Sequence, residues 1–200
     1  MAPSIVAYNT FARGGGSNDW DVIHSLMPGV TFKADMDKYL QLVVYLSNIC
    51  EQLPSHKNLL VAPSHEAIAH CMAKEWKIGK RPYNIFNIDH HHDCGYGDNL
   101  NSEELKQQPI TCANWAVKLQ TKCPNYLSYT WIKNDNSDMQ IPNDILAMLP
   151  DDHIFSSDIH VIDYINFDYV FMCSSPGWTP PNYMPLFEAL RFSLEKLVNK

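Results

Sequence analysis

The residues of this chain best suited to chemistry lie between Asp89 and Asp93, where three consecutive histidines stand between two aspartates. The run follows the apolar stretch 83–88, which is typical of a buried strand. If the alternation of side chains along the strand continues into the loop, Asp89, His91 and Asp93 point to the same side. The convergence of two carboxylates and an imidazole predicts a site for a divalent cation. A bound cation would make hydrolytic chemistry possible. The alternative is a solvated polar turn.

A catalytic metal site needs a ligand from another part of the chain, and His65 is the best candidate. It lies in Ser64-His65-Glu66, at a predicted strand-to-helix junction one β–α unit before Asp89. The alternative is a histidine at a helix end that faces water. His70 is a weaker candidate because it lies more than one turn into the predicted helix.

An oxygen-rich site with one or two imidazoles suits Mn²⁺ or Fe²⁺, and Zn²⁺ less exclusively. Such a metal deprotonates water near neutral pH, and the hydroxide attacks an electrophilic carbon. The spacing does not separate one metal from two, and it identifies no general acid or base. Ser156 and Ser157 lack the glycine-flanked elbow of serine hydrolases, and no cysteine is indicated as a nucleophile.

Short apolar runs predict the strands, at 4–8, 59–62, 83–88, 126–133, 159–163 and 169–173. Helical periodicity predicts the helices, at about 35–53, 65–76, 112–121, 142–149 and 184–198. The first helix has an aspartate-rich start and ends before Pro54, and Ser64 is a candidate N-cap for the second. The glycine-rich segment 12–17 lacks the patterns of a phosphate-binding loop and is predicted to be an ordinary loop.

The alternation of strands with helices predicts an α/β fold, a three-layer α/β/α sandwich around a mostly parallel sheet. Ligands of such sheets bind beyond the carboxyl ends of the strands. Asp89, His65 and Asp135 each follow a predicted strand at that end. We therefore expect His65 to reach the same crevice as Asp89.

The composition is that of an ordinary globular protein, with 46% hydrophobic and 18% charged residues among 200. This length predicts one domain over 1–200. The net charge of -7, without a basic stripe, argues against a nucleic-acid partner. No apolar run reaches the roughly 20 residues that a membrane-spanning helix needs. The N-terminus lacks a secretory-signal pattern, and the six cysteines form no CxxC pair, so we expect reduced thiols in the cytoplasm. The sequence does not indicate the oligomeric state.

Five stretches, in order over roughly 58–180, form a set that resembles a known superfamily. They are Pro-Ser-His-Glu at 63–66, Asn-Ile-Asp-His-His-His-Asp at 87–93, Ala-Asn-Trp at 113–115, Thr-Trp-Ile at 130–132 and Phe-Met-Cys-Ser-Ser-Pro at 171–176. The set resembles the arginase and ureohydrolase superfamily. It is most similar to the small arginase-like domain family that contains the peptide arginases of ribosomal-peptide maturation. The Asp-x-His-x-Asp motif is specific, and the other stretches are suggestive.

The resemblance implies a compact arginase/deacetylase-like sandwich. It also implies metal-dependent hydrolysis of an arginine residue, within a precursor peptide, to ornithine and urea. His65, Asp89, His91 and Asp93 would bind two Mn²⁺ ions, with Asp89 as the bridge and with Zn²⁺ or Fe²⁺ as alternatives. The implied partner is an arginine-containing precursor peptide, and neither a membrane nor a nucleic acid is expected.

The chain departs from the superfamily in one motif. An Asp-x-Asp on a later strand completes both metal sites in arginases, and no clean match follows residue 138. The candidates to replace it are Asp158, His160, Asp163 and Asp168, of which Asp158 is favoured. Two alternatives follow. A zinc-dependent amide hydrolase of the deacetylase type shares the fold, uses one metal and would tolerate an imidazole such as His160. A non-catalytic metal-binding protein would not need the missing motif.

Overall fold

The structure is a computed structural model. It describes residues 34–75, 82–96, 100–122, 125–134, 137, 139–163, 165–175 and 179–199. The predicted strand at 4–8, the segment 12–17 and Asp135 lie outside these ranges. The chain divides into two compact units, Met1–Ser64 together with Asn166–Lys200, and His65–Ile165. The expectation of a single domain over 1–200 stays a prediction.

The described residues contain parallel strands and helices in alternation. The strands are Leu59–Ala62 (β1), Tyr83–Asp89 (β2), Tyr126–Lys133 (β3), Asp152–Ser156 (β4) and Val170–Cys173 (β5). The α-helices are Met36–Glu51 (α1), Ala67–His70 (α2), Ser102–Gln107 (α3), Trp115–Lys122 (α4), Asn143–Leu146 (α5) and Met184–Val198 (α6). Short 3₁₀ turns lie at His56–Asn58, Ile159–Ile162 and Pro181–Tyr183, and a π-helical turn at Cys71–Glu75 follows α2.

The first unit is built on the parallel pair β1 and β5, with α1 and α6 packed together beside it. Its core is apolar and comes from both strands and both helices: Cys50, Leu59, Met172, Leu190 and Leu194. Asp35 caps α1, because its side chain accepts a hydrogen bond from the Lys38 N–H at 3.1 Å. The predicted helix with an aspartate-rich start is confirmed, with its end at Glu51.

The second unit contains a three-stranded parallel sheet in the order β2-β3-β4. Helices α3 and α4 connect β2 to β3, and α5 lies between β3 and β4. The pairing places Asp89, the last residue of β2, opposite Lys133, the last residue of β3. The prediction of an α/β fold with parallel strands is therefore confirmed at this level.

The prediction of a strand at 159–163 is wrong, because Ile159–Ile162 form a 3₁₀ turn. Asp158 accepts a hydrogen bond from the His160 N–H at 2.9 Å, and the His160 ring lies 2.9 Å from Asp163 Oδ2. Such local side-chain bonds offer the backbone an alternative to a sheet ladder. The strand of this region is instead β4, at Asp152–Ser156, which the sequence analysis did not predict.

Two helix starts also differ from the predictions. Ser64 does not cap α2: Glu66 occupies the N-cap position, and no side chain makes the capping hydrogen bond. Helix α3 was not predicted, although it begins with a capping box in which Asn101 and Glu104 bond each other's backbone N–H groups.

No helix among the described residues combines the length and the apolar character needed to cross a bilayer. The described cysteines form no disulfide, and Cys123 lies outside the described residues.

Candidate metal site

Three predicted ligands, His65, Asp89 and Asp93, come together within the second unit and form a group that could hold a metal ion. His65 Nδ1 lies 3.1 Å from Asp93 Oδ2 and 3.5 Å from Asp89 Oδ2. A divalent metal with bonds of about 2.1 Å separates neighbouring ligand atoms by about 3.0 Å in octahedral and about 3.4 Å in tetrahedral geometry. The two distances match the spacing of ligands around one cation, and the shorter one is also a hydrogen bond between His65 and Asp93 Oδ2.

Each of the two carboxylates has one oxygen that the protein satisfies and one that it does not. Asp89 Oδ1 accepts a hydrogen bond from the His90 N–H at 2.6 Å, and Asp93 Oδ2 accepts one from Trp115 Nε1 at 2.6 Å. Asp89 Oδ2 and Asp93 Oδ1 are buried and have no hydrogen-bond partner within the described part of the chain. Buried oxygens without partners are costly, so the donor set fits a cation that binds them.

The site retains access to solvent on one side. The side chains of His65 and Asp89 are 18% and 20% exposed, whereas that of Asp93 is fully buried. An ion that enters would thus meet His65 and Asp89 at the surface and Asp93 at the base of the site.

Side chains from β2, β3 and the segment after β3 hold the loop that follows Asp89. The Asp89 carbonyl accepts from Trp131 Nε1 at 3.0 Å, and the His90 carbonyl accepts from Ser137 Oγ at 2.8 Å. The His91 carbonyl accepts from Asn87 Nδ2 at 3.3 Å, and the His92 carbonyl accepts from the Tyr129 hydroxyl at 2.7 Å. Tyr129 is completely buried. Every carbonyl from Asp89 to His92 is therefore held by a side chain of the sheet or of the segment after β3.

Asp93 itself has a φ of 52°, in the left-handed region that is unfavourable for most residues other than glycine. The first turn of α4 holds it there, because the Ala116 N–H donates to the Asp93 carbonyl at 3.1 Å. The alternation of β2 therefore stops at Asp89, and Asp93 reaches the site through a turn.

His91, the fourth predicted ligand, is not part of the three-residue group. Its ring is buried and stacks on Tyr96, with centroids 4.6 Å apart. Burial is the main cause that lowers the pKa of His91 to about 3, so the ring is neutral at pH 7. Its role as a ligand stays a prediction.

The two flanking histidines have other contacts. His92 is buried, its Nδ1 accepts the Cys94 N–H at 3.0 Å, and burial lowers its pKa to about 4. His90 packs edge-on against His91. Neither joins the candidate site.

Burial is the largest cause that raises the pKa of Asp89 to about 7, and the negative charge of Asp93 raises it further. Burial likewise raises the pKa of Asp93. The charge of His65 lowers the pKa of both carboxyl groups. A bound cation would favour the ionised form of both acids.

No thiolate is indicated beside the group. Burial raises the pKa of Cys94 well above its usual value, and the charge of Asp93 raises it further. The pKa of Cys112 is raised by the same two causes, in the same order.

The candidates for the missing C-terminal ligand do not join the group. Asp158 bonds the backbone of His160, and the exposed His160 ring pairs with Asp163. Asp168 belongs to the first unit, where its carbonyl accepts from Asn58 Nδ2 at 2.8 Å.

Sequence reasoning did not identify Asn87, Tyr129 or Trp131 as supports of the loop. Trp115 was identified only as a residue of the Ala-Asn-Trp stretch at 113–115. The contacts of Tyr129 and Trp131 join segments far apart in the chain, whereas Asn87 bonds the carbonyl of His91, four residues later. The only available signal was the presence of polar-tipped aromatic side chains in apolar segments.

No protein-family model, curated protein or solved structure matches the chain. The function proposed for it consequently rests on the site residues and on the resemblance of their motif.

Proposed function

We propose that the chain is a metal-dependent hydrolase whose His65, Asp89 and Asp93 hold a divalent cation. The observation that carries the proposal is the pair of buried carboxylate oxygens, Asp89 Oδ2 and Asp93 Oδ1, that lack hydrogen bonds within the described residues beside His65. Carboxylate-rich sets with one imidazole suit Mn²⁺, which is the metal we propose. When bound, such an ion lowers the pKa of a coordinated water and supplies a nucleophile near neutral pH.

The proposed reaction converts an arginine residue of a peptide, together with one water, into an ornithine residue and urea. Water adds to the guanidinium carbon, the bond from that carbon to the side-chain nitrogen breaks, and the nitrogen leaves as the ornithine amine. The order of the motif stretches supports this substrate, because it resembles that of the peptide arginases. The net charge of -7 is compatible with a cationic side chain. The proposal includes the compact arginase-like sandwich as the fold.

The chain's own residues have distinct parts in this proposal. Asp89 and His65 are partly exposed and would meet both the ion and the substrate, whereas the buried Asp93 would anchor the ion. The resemblance implies a second Mn²⁺ bridged by Asp89. By the resemblance His91 would be among the ligands, and its ring stacks on Tyr96.

A zinc-dependent amide hydrolase is the second candidate. One observation favours it: the described residues assemble a single group of three ligands, which suits one-metal chemistry. The two candidates differ in metal preference and in product, so one assay separates them.

The test incubates the purified protein with an arginine-containing peptide or an acetyl-lysine peptide, each with Mn²⁺ or with Zn²⁺. Arginine-to-ornithine conversion lowers the peptide mass by about 42 Da, the difference between the urea released and the water consumed. We expect this loss with Mn²⁺, and we expect it to vanish in Asp89→Asn but not in the exposed control Asp151→Asn. Deacetylation with Zn²⁺ would favour the amide hydrolase. Failure of both reactions, with free arginine also unchanged, would overturn the enzyme proposal.

A further inference from the structure

The first turn of α4 holds Asp93 at two points. The Ala116 N–H donates to its backbone carbonyl at 3.1 Å, and the Trp115 indole N–H donates to its Oδ2 at 2.6 Å. A hydrogen bond from an N–H group to an ionised carboxylate is shorter and stronger than one between neutral groups. Because the backbone is fixed as well, the plane of the Asp93 carboxylate has little freedom to rotate.

Trp115 also contacts the imidazole of the group. Its ring meets the His65 ring edge-on, with centroids 6.4 Å apart. On the other side it packs edge-on against Tyr129, again at 6.4 Å. Trp115 is only 2% exposed, so these contacts fix the orientation of its indole.

The indole N–H makes the shortest of three contacts to Asp93 Oδ2, which also lies 3.1 Å from His65 Nδ1 and 3.5 Å from Asn87 Nδ2. Oδ2 is used by the indole N–H, while Oδ1 stays buried without a partner among the described residues. Without the indole N–H, the carboxylate could turn, and Oδ2 would lose its shortest hydrogen bond.

We propose that Trp115 is a positioning residue of the metal site, which orients Asp93 by its indole N–H and supports His65 by its ring. This inference rests on the proposed metal site, although it does not depend on the reaction. Partners that orient a ligand typically change metal affinity by about 10- to 100-fold.

The experiment compares Trp115→Phe with Tyr126→Phe and with the unaltered protein. Phenylalanine keeps an aromatic ring and removes the indole N–H. Tyr126 is a matched control, because it is equally buried and its hydroxyl has no hydrogen-bond partner among the described residues. Mn²⁺ affinity is measured from the electron paramagnetic resonance signal of the unbound ion, and the unfolding free energy from urea denaturation.

We expect Trp115→Phe to weaken Mn²⁺ binding by about 10- to 100-fold and Tyr126→Phe to leave it unchanged. If Trp115→Phe folds and binds Mn²⁺ as tightly as the unaltered protein, the positioning role is refuted while the metal site stands. If the unaltered protein binds no Mn²⁺, the metal site itself is refuted.

A second measurement covers the case in which Trp115→Phe does not fold. The unaltered protein is labelled with ¹⁵N and titrated with diamagnetic Zn²⁺, and the Trp115 indole signal is assigned by replacing the other four tryptophans in turn. We expect an indole proton that exchanges slowly with water and shifts when Zn²⁺ binds. Exchange as fast as that of an exposed indole, or a signal indifferent to Zn²⁺, would overturn the inference.

Discussion

Asp89 and Asp93 bring together two carboxyl groups, and among the described residues only one oxygen of each has a protein donor. The two remaining oxygens are buried, so either a proton or a cation is needed to stabilise them. The pKa of Asp89 is raised to about 7, so this carboxyl group readily binds a proton. The proposed metal ion would bind the same carboxylate oxygens, so protons and the metal ion compete for them.

This competition predicts an unusual pH dependence for the metal-free protein. An unfolded Asp89 ionises near 3.8, whereas the folded one ionises near 7, so between these values the folded state binds more protons. The free energy of unfolding should then decrease as pH rises from about 4 to about 7. Urea denaturation in the presence of a chelator measures it. The decrease should be smaller in Asp89→Asn and unchanged in Asp151→Asn; an equal slope in all three proteins would contradict the assignment.

The two histidines predicted as ligands should behave differently. His65→Ala removes a member of the assembled group and should weaken Mn²⁺ binding by more than about tenfold. His91→Ala removes a ring that is stacked on Tyr96, outside the group, and should leave that ion bound. Metal content after dialysis measures both. Equal losses in the two variants would mean that His91 is a ligand after all.

At this scale the sequence predicts three members of the assembled group from residue type and strand ends. The place of His91 depended on side-chain alternation beyond Asp89, but strand β2 ends at Asp89 and a turn follows it. A turn of this kind has no reliable signature in a non-glycine residue. The bond from Trp115 to Asp93 spans 22 positions, and no local pattern reveals such a contact.

Strand β3 supports the loop after β2 as well as extending the sheet. Trp131 and Tyr129 both lie on it, and both donate to loop carbonyls. Strand β2 ends at the ligand Asp89, and strand β3, which holds the loop after Asp89, is its parallel neighbour.

Two Tyr→Phe substitutions on β3 test this support. Tyr129→Phe removes one of two donors to the His92 carbonyl, the other being Cys94 Sγ, and it removes the hydroxyl that accepts from Asn87 Nδ2. The substitution should cost about 1–3 kcal/mol of unfolding free energy. Tyr126→Phe removes a buried hydroxyl without a partner among the described residues and should cost nothing or stabilise. The unfolding free energies of both variants are measured by urea denaturation and compared with that of the unaltered protein. Similar costs would show that the hydrogen bond to the loop is not what Tyr129 contributes.

Elements with strong patterns were predicted well. The bounds of β1, β3 and α6 agree with the prediction, because continuous apolar runs and helical periodicity specify them. Strand β4 was missed, since its sequence mixes Asp152 and His153 with Ile154 and Phe155 and shows no clear alternation. The 3₁₀ turn at Ile159–Ile162 is apolar enough to resemble a strand, and only the bonds of Asp158 and His160 distinguish it.

For the molecule as a whole, sequence periodicity was enough for the α/β class and for parallel pairing, but not for the division into two compact units. The first unit joins β1 to β5 across more than a hundred residues. Pairing at that distance depends on packing between elements, which a window of local sequence does not contain.

A thermal-unfolding experiment addresses both the metal and the domain prediction. Mn²⁺ at about 100 times its dissociation constant should stabilise the folded state by about 2.7 kcal/mol. For a chain of this size, that raises Tm by about 5–10 °C, and His65→Ala should show no such rise. A single domain over 1–200 predicts one transition that shifts as a unit. Two calorimetric transitions, of which only one responds to Mn²⁺, would contradict the single-domain prediction.

The hydrogen bonds to every carbonyl from Asp89 to His92 have a kinetic consequence. A loop already tied to its sheet has no ordering step left to complete when an ion arrives. The rate of metal uptake would then be set by how fast the ion sheds water and the two acids shed protons. Uptake should accordingly follow the water-exchange rates of different ions, and should quicken as the acids ionise.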